Sequence, residues 1–507
     1  MVRIGKRWFA MGLAAVVACG TAGTSEDEKI QQISGTSPYV RFQGDQTGTS
    51  VVFGAILLQS DITDIPFNVT VLKDSSATDS GQRYKMWYSS NSFSDILNQI
   101  SSILSGTSSD LTVITSRIGY ATSSTPEGVF NADGTYSGWT DPETVLTNTD
   151  IPGFSDPGDS ISDPMVIQLL QGFWMFFTGT HSGVSAIYQA FSIDGTSWIL
   201  LDGDTTSVAT VDPILSPGPG GSWDGGGVSS PSCLIDGSTL RCWYAGHDGD
   251  FNGNGDPFYG IGYGECALET AIPITDQPCA QTSSWTKLTP SKNDPEFPDS
   301  DPLFASSRPV LAEGPEGAFD SDYIGDPTVL LDSTSAGDRV FKMWYVGGNR
   351  PLIPFAPSTF NELLTFEENI ASTNLGIGVA STFEATGKSQ WERFKFSPVA
   401  IELSLPVSVG EVLCQTFDLS TLIEGAIDTP VEVINQILQT VVENLAFDFF
   451  NLCEMTTLEE ALNQDERGPS ILKEGDQYYL YLSTELSLFS KLNFPLGTQL
   501  AANPPIR

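Results

Sequence analysis

The feature of this 507-residue chain that most constrains its fold is a short aromatic segment that occurs five times. The copies lie at 84–88, 173–177, 240–244, 341–345 and 478–482, and three of them end in Trp-Tyr. A short apolar segment precedes each copy, and it starts with Asn-Val, Asp-Pro, Ser-Pro, Asp-Pro and Gly-Pro at Asn68, Asp163, Ser230, Asp326 and Gly468. Proline is tolerated at the first residue of a strand, so we expect each pair to start one. Units repeated at such distances are typical of small sheets that bury their faces against their neighbours.

Two further short strands follow each aromatic segment, so the chain is predicted to be all-β, a five-bladed β-propeller. The fifth unit is short of strands, and residues 51–58 resemble an outer strand; an N-terminal strand is therefore expected to close the last blade and remove its free edge. A β-sandwich of repeated hairpins is the competing interpretation. Apolar-periodic insertions at 92–104, 360–370 and about 402–466 are predicted to be helical and to lie on one rim.

The N-terminus has the pattern of an export signal. Basic residues followed by an apolar run too short to span a bilayer predict a signal peptide over 1–18. The residues before Cys19 are similar to a bacterial lipobox, which predicts lipidation of Cys19, a linker over 19–36 and a propeller over 37–507. An ordinary secretory signal is the alternative. The expected location is the cell envelope, with the chain anchored to a bacterial membrane.

The net charge bears on the binding partners, and the cysteine content bears on the disulfides. With 23 basic and 62 acidic residues the net charge is −39, so nucleic acid is not expected as a partner. The six cysteines beside Cys19 form an even set in an exported chain, which predicts local disulfides, with free buried thiols as the alternative. The pairs expected are Cys233 with Cys242, Cys266 with Cys279, and Cys414 with Cys453.

The Asp-Pro strand starts and the Met-Trp-Tyr segments resemble the five-bladed propeller glycosidases, which include arabinanases, xylosidases, invertases, levansucrases and mannoside phosphorylases. The resemblance implies acids facing a central funnel, and Asp163 and Asp326 are the candidate catalytic residues. It also implies a base where Asn68 stands and an acid where Ser230 stands, so the acid set is incomplete. Other acids on the funnel rim could substitute, namely Asp156, Asp159, Asp224, Glu313, Glu316, Asp320 and Asp322.

Other polar residues are candidates for substrate binding. His181 and His247 each follow an aromatic segment, and Arg467 directly precedes Gly468. Asp224 and Asp320 each follow an aromatic residue in equivalent loops, a pattern that also fits a structural turn.

One loop has the spacing of a calcium ligand set. Oxygen ligands alternate at Asp248, Asp250, Asn252, Asn254 and Asp256, and Gly253 stands at the sixth position. Tyr259 occupies the twelfth position, where a bidentate glutamate is usual, and a flexible turn is the alternative. The sequence thus predicts an exported lipoprotein that acts on or binds a poly- or oligosaccharide, a glycoside hydrolase with an incomplete acid set. The alternative is a non-catalytic carbohydrate-binding or protein-docking lipoprotein.

Overall fold

The fold is a ring of five β-sheets, in agreement with the predicted five-bladed propeller. A computed structural model describes residues 35, 39–41, 64–92, 116–130, 136–140, 143–156, 158–203, 210–249, 257–269, 277–288, 308–334, 336–349, 375–395, 397–399, 462–488 and 492–503. Among these residues no helix is long and apolar enough to cross a bilayer.

Each blade is an antiparallel sheet whose strands follow one another along the chain from the inner strand outward, except at the closure. Blade 1 contains β2 (Asp64–Lys73), β3 (Tyr84–Ser92), β4 (Arg117–Ser123) and β7 (Glu143–Leu146), beside a small hairpin of β5 (Val129–Phe130) and β6 (Tyr136–Gly138). Blade 2 contains β8 (Ser160–Leu169), β9 (Gly172–His181), β10 (Val184–Ser192) and β11 (Ile199–Leu201). Blade 3 contains β12 (Gly227–Asp236), β13 (Thr239–His247), β14 (Tyr259–Ala267), β15 (Thr286–Lys287) and β16 (Leu311–Ala312). Blade 4 contains β17 (Tyr323–Ser333), β18 (Arg339–Gly348), β19 (Leu375–Thr382) and β20 (Glu392–Arg393). Blade 5 contains β21 (Leu462–Glu474), β22 (Gln477–Leu488), β23 (Leu492–Asn503) and the N-terminal β1 (Val40–Arg41).

An N-terminal strand closes the ring, as predicted. Val40 pairs with Ala502, and the adjacent Tyr39 is almost fully buried and donates its hydroxyl to the Gly35 carbonyl at 2.5 Å. The closing strand is therefore β1, whereas residues 51–58 lie outside the described residues. Blade 5 is completed by an N-terminal strand, which pairs with the outer edge of β23 at Ala501 and Ala502.

The prolines do not start the inner strands. Pro164 and Pro327 lie inside β8 and β17, at a point where the pairing with the next strand shifts its register. Proline cannot donate a ladder hydrogen bond and is accommodated at such bulges. The expectation that each Asp-Pro pair begins a strand was therefore wrong: the strands start three residues earlier, and the pair forms a bulge facing the axis.

The aromatic segments join neighbouring blades. The Trp87 indole N–H donates to the Gly195 carbonyl of blade 2 at 2.8 Å, and Trp243 donates in the same way to Gly387 of blade 4 at 2.9 Å. The Tyr481 hydroxyl of blade 5 donates to Pro126 of blade 1 at 2.9 Å. In blades 1, 3 and 5 the repeated aromatic position thus fills the space between blades and satisfies its polar group on the next blade.

Acidic side chains near the ends of three inner strands form a second set of contacts between blades. These ion pairs are Asp236 with Arg339 at 2.5 Å, Asp332 with Lys473 at 2.5 Å and Glu474 with Lys73 at 2.7 Å. The last of them connects blade 5 to blade 1, so the ring is closed by ionic contacts as well as by β1.

Two of the three predicted disulfides are present, and both lie in blade 3. Cys233 and Cys242 are direct partners across β12 and β13, and Cys266 is bonded to Cys279. The Cys414–Cys453 pair lies outside the described residues, as do residues 93–115, 350–374 and 400–461 of the predicted helical insertions. Residues 462–466, which the sequence assigned to the last insertion, belong to β21.

Candidate functional site

The bulges of the five inner strands bring one residue from each blade to the axis. These residues are Asn68, Asp163, Ser230, Asp326 and Gly468, which we call the axial ring. All five have a left-handed backbone, with φ between 44° and 53°. Such a backbone costs non-glycine residues about 1 to 2 kcal/mol each, and strain of this kind is concentrated at functional sites.

The axial ring is joined by hydrogen bonds in blade order. Asn68 Nδ2 donates to Asp163 Oδ1 at 2.6 Å, and the Ser230 hydroxyl oxygen lies 3.3 Å from Asp163 Oδ2 and 2.7 Å from Asp326 Oδ1. The backbone N–H of Gly468 donates to the Asp326 carboxylate. The two predicted catalytic residues are thus brought together, with the Ser230 hydroxyl between them.

Gly468 completes the ring because it has no side chain. A Cβ atom added at this position would lie 1.9 Å from Asn68 Oδ1, so only glycine fits between blade 5 and blade 1. The ring therefore depends on the close approach of its first and last members.

Hydroxyl groups of the preceding blade hold three of the bulges. The backbone N–H groups of Asn68, Asp163 and Ser230 donate to side-chain oxygens of the preceding blade at 2.8 Å each. The acceptors are Ser483, Ser89 and Thr178, which follow the aromatic segments by one residue. A bulge frees this N–H from the strand ladder, and the hydroxyl satisfies it.

The electrostatics of the axial ring act on Asp326. Burial raises the pKa of Asp326 above its usual range, and the charge of Asp163 raises it further. Hydrogen bonding to Ser230 and the charge of Arg467 oppose this rise without cancelling it. Asp326 therefore retains its proton to a higher pH than an ordinary aspartate.

Aromatic side chains of blades 3 and 4 lie beside the axial ring. The Tyr259 and Tyr323 rings meet edge to face at 4.9 Å, and the His247 ring lies 6.2 Å from Tyr259. Burial raises the pKa of Tyr323, as does the charge of Asp326, whereas Arg467 lowers it. Of the predicted binding residues, Arg467 is thus near Asp326, and His247 is connected to it through the Tyr259 and Tyr323 rings.

Glycine allows the close packing of His247. A Cβ atom at Gly227 would lie 2.8 Å from His247 Nε2, so the imidazole rests directly on the backbone of β12. Burial lowers the pKa of His247, and the neighbouring Asp248 opposes this change. This histidine therefore favours the neutral form, in which one ring nitrogen can accept a hydrogen bond.

His181 is held differently, at the rim of blade 2. Its Nδ1 lies 3.0 Å from Asp159 Oδ1, and its ring stacks on Phe154 at 5.2 Å. Asp159 is fully buried and also accepts the backbone N–H groups of Ser155, Asp156 and Ser182. Asp156, Asp159 and His181 lie close enough to share an ion, although Asp159 already serves as the centre of a folded loop.

Asp224 and Asp320 occupy equivalent buried positions. Asp224 accepts from Tyr244 and pairs with Lys287 at 2.6 Å, and Asp320 accepts from Tyr345 and pairs with Arg393 at 2.8 Å. Lys287 and Arg393 lie on the outer strands β15 and β20. Each aspartate thus connects the start of a blade to its outer edge, which matches the structural-turn interpretation of the repeated motif; substrate binding by these residues remains a prediction.

The predicted calcium loop is described only at its edges. The Asp248 Oδ1 atom accepts the Phe258 backbone N–H at 3.2 Å, and Asp248 N donates to the Phe258 carbonyl, so the two ends of the loop lie side by side. The other predicted ligands, Asp250, Asn252, Asn254 and Asp256, lie outside the described residues, as does Cys19.

Sequence reasoning missed the part that Asn68 and Ser230 play. Both were treated as departures from an acid pattern, whereas the structure makes them the hydrogen-bonding neighbours of Asp163. The signal that could have identified them is their alignment with the two aspartates at the same repeat position.

No protein-family model matches the chain, and no curated protein matches it in sequence. Solved structures similar to it include a glycosyl hydrolase from Bacteroides ovatus, with 10% identity, a TM-score of 0.44 and coverage of 94% of this chain and 98% of that one. A putative glycoside hydrolase from Parabacteroides distasonis has 11% identity and a TM-score of 0.41, and the match covers 94% of this chain and 98% of that one. A thermostable family-43 glycoside hydrolase has 12% identity and a TM-score of 0.41, and the match covers 86% of this chain and 88% of that one. At these identities the similarity is one of fold.

Proposed function

We propose that the protein is a carbohydrate-binding propeller that holds a poly- or oligosaccharide in its funnel without cleaving it. The observation that carries this proposal is the Ser230 hydroxyl, which is in contact with both Asp163 and Asp326. Glycoside hydrolysis needs two carboxyl groups that flank the scissile bond, with room between them for the sugar or for water. Here a protein hydroxyl fills the space between the two acids.

The residues beside the two acids support the same proposal. Asn68 and Ser230 stand where the glycosidase resemblance implies a base and an acid, and neither side chain titrates in the physiological range. Amide, hydroxyl, carboxyl and guanidinium groups next to tyrosine rings are suited to hydrogen-bond a sugar and to pack against its apolar face.

A glycoside hydrolase is the second candidate, and one observation favours it. The pKa of Asp326 is raised by burial and by Asp163, and a carboxyl group that keeps its proton beside a second carboxyl group is suited to act as a general acid. In that case Ser230 would have to move away when the substrate enters.

The deciding experiment uses the chain without residues 1–19 and a panel of polysaccharides. Binding is measured by isothermal titration calorimetry, and cleavage by the release of reducing ends, for the wild type, Asp163→Asn and Asp326→Asn. We expect binding without release. Release that both substitutions abolish would establish the hydrolase, and the absence of both binding and release would reject carbohydrate as the ligand.

We further propose that Cys19 carries the lipid that anchors the protein to the bacterial envelope. Metabolic labelling with an alkyne fatty acid tests this directly. Label incorporated by the wild type and lost in Cys19→Ser supports the anchor, whereas equal labelling of both rejects it.

Calcium binding at residues 248–256 is proposed on the spacing of the oxygen ligands, and the adjacent ends of the loop at Asp248 and Phe258 are compatible with it. Calorimetric titration of the chelator-treated protein with Ca²⁺ tests it. Asp250→Asn should weaken the binding, and an unchanged affinity would exclude this loop.

A further inference from the structure

The position of the Ser230 hydroxyl constrains the number of protons in the axial ring. Its oxygen lies 2.7 Å from Asp326 Oδ1 and 3.3 Å from Asp163 Oδ2. A serine hydroxyl has one proton and can donate it to one carboxylate at a time. If both acids were ionised, one of these contacts would place two oxygen atoms together with no proton between them. With both acids ionised, the single hydroxyl proton would have to be shared between the two contacts, whereas a second proton on one acid gives each contact a proton of its own.

The remaining hydrogen bonds indicate which acid holds that proton. Asp163 accepts Asn68 Nδ2 at 2.6 Å and the Ser162 hydroxyl at 3.1 Å, and both donors stabilise its ionised form. Asp326 accepts the backbone N–H of Gly468 in addition to its contact with Ser230. Asp163 thus has two side-chain donors besides Ser230, and it is the better site for the negative charge.

We propose that Asp163 and Asp326 hold one proton between them, resident on Asp326, which donates to the Ser230 oxygen while Ser230 donates to Asp163. The Asp326–Ser230 contact and the Ser230–Asp163 contact then contain one proton each, and no group is oxidised or transferred. The arrangement makes Asp326 a neutral carboxylic acid at the floor of the funnel.

The groups that face the pair are compatible with this arrangement. Arg467 acts on Asp326 from β21 and Tyr323 from its own strand, while Tyr259 of β14 packs against Tyr323. Burial and the Asp163 charge raise the pKa of Asp326 despite the positive charge of Arg467. With one proton on the pair, the pair carries the single charge of Asp163 next to the positive charge of Arg467, and the carboxyl of Glu313 lies farther out, where it accepts the Tyr259 backbone N–H.

A consequence for ligand choice rests on the proposed function. The net charge of −39 repels polyanions from the whole molecule, and Arg467 is balanced by the charge of Asp163 beside it. The glycan class expected is therefore uncharged sugars rather than uronic acids. Calorimetry with a neutral mannan and with polygalacturonate at pH 6 tests this part, and preferential binding of polygalacturonate would overturn it.

The proton itself is tested without any ligand, by infrared spectroscopy of the chain without residues 1–19 across a pH titration. Ordinary aspartates and glutamates ionise near pH 4, so they contribute no carboxylic acid band above about pH 6. We expect one such band to persist above that pH in the wild type and to be lost in Asp326→Asn. In Asp163→Asn the band should disappear at a lower pH, because the neighbouring charge is gone.

Two outcomes would overturn the proposal. Absence of the band above pH 6 in the folded wild type would show that both acids are ionised, and this result does not depend on the folding of any variant. A band that survives in Asp326→Asn but is lost in Asp163→Asn would place the proton on Asp163. Because the spectrum needs no sugar, a failure here is distinct from a failure of glycan binding.

Discussion

Asn68 Nδ2 donates to Asp163 Oδ1 at 2.6 Å, so a side chain of blade 1 orients an acid of blade 2 at the axis of the propeller. The two residues are 95 positions apart and occupy the same site in consecutive repeats. Because Asn68 donates where an acid would repel, it stabilises the charge on Asp163. This hydrogen bond is the first of those that connect the axial ring from Asn68 to Gly468.

The closure of the axial ring at Gly468 can be tested with one substitution. Gly468→Ala combines a left-handed backbone with a Cβ that would lie 1.9 Å from Asn68 Oδ1, so we expect a loss of unfolding free energy of about 3 kcal/mol. Gly475→Ala is the matched control, because Gly475 has φ +59° and open space around it. It should cost about 1 kcal/mol. Urea denaturation measures both, and equal losses would show that the contact with Asn68 is unimportant.

The ion pair between blades 4 and 5 predicts a pH-dependent stability. Burial disfavours the ionised form of Asp332, but hydrogen bonds from Lys342, Lys473 and Tyr478 outweigh it and hold the pKa of its carboxyl well below the usual range. A depressed pKa gives stability that is present above the unfolded-state value, about 3.9, and is lost as the pH falls through the folded-state value. Asp332→Asn should therefore cost about 3 kcal/mol at pH 7, where the buried Lys342 loses its ion pair with Asp332.

The measurement for Asp332 is the unfolding free energy of wild type and variant between pH 7 and pH 2. The difference between the two unfolding free energies should become smaller as the pH falls. Asp338→Asn, at an exposed position preceding β18, is the control and should change little at any pH. A gap that stays constant with pH would show that Asp332 does not act through its charge.

The two buried aspartates of the equivalent loops are expected to act on stability. Asp320→Asn leaves Arg393 with a weaker partner and should lower the unfolding free energy by about 2 to 3 kcal/mol, and Asp224→Asn should do the same through Lys287. Glycan affinity at a temperature where both variants are folded should stay within twofold of the wild type. A tenfold weaker affinity in a fully folded variant would favour the substrate-binding interpretation instead.

Ring closure by the N-terminal segment predicts a large effect of a single side chain. Tyr39→Ala empties a buried aromatic site and should cost about 3 to 5 kcal/mol, whereas Tyr39→Phe loses one hydrogen bond to Gly35 and should cost about 1 kcal/mol. Thermal unfolding measures the loss of stability in each variant, and limited proteolysis measures how well the N-terminal segment is protected. If Tyr39→Ala resists heat and protease as well as the wild type does, β1 is not needed to close blade 5.

Much of the fold could be predicted because its signals are local. The aromatic segments and the residues around them repeat along the chain, and each unit can be recognised alone as a small antiparallel sheet. The Cys233–Cys242 disulfide was predictable for the same reason, since a short turn places both residues opposite each other. The closing strand was harder, because β1 contains only two residues and gives no periodic pattern.

The sequence by itself determined the number of blades, the order of their strands, the cysteine pairs of blade 3 and the five equivalent repeat positions from Asn68 to Gly468. Only the tertiary structure decided what those positions do. Asn68, Ser230 and Gly468 become neighbours of the two acids only when the ring closes and five bulges converge. The proton balance of Asp163 and Asp326 depends on distances of about 3 Å between blades, and hydrogen bonds of that length between distant segments leave no periodic signal in a sequence.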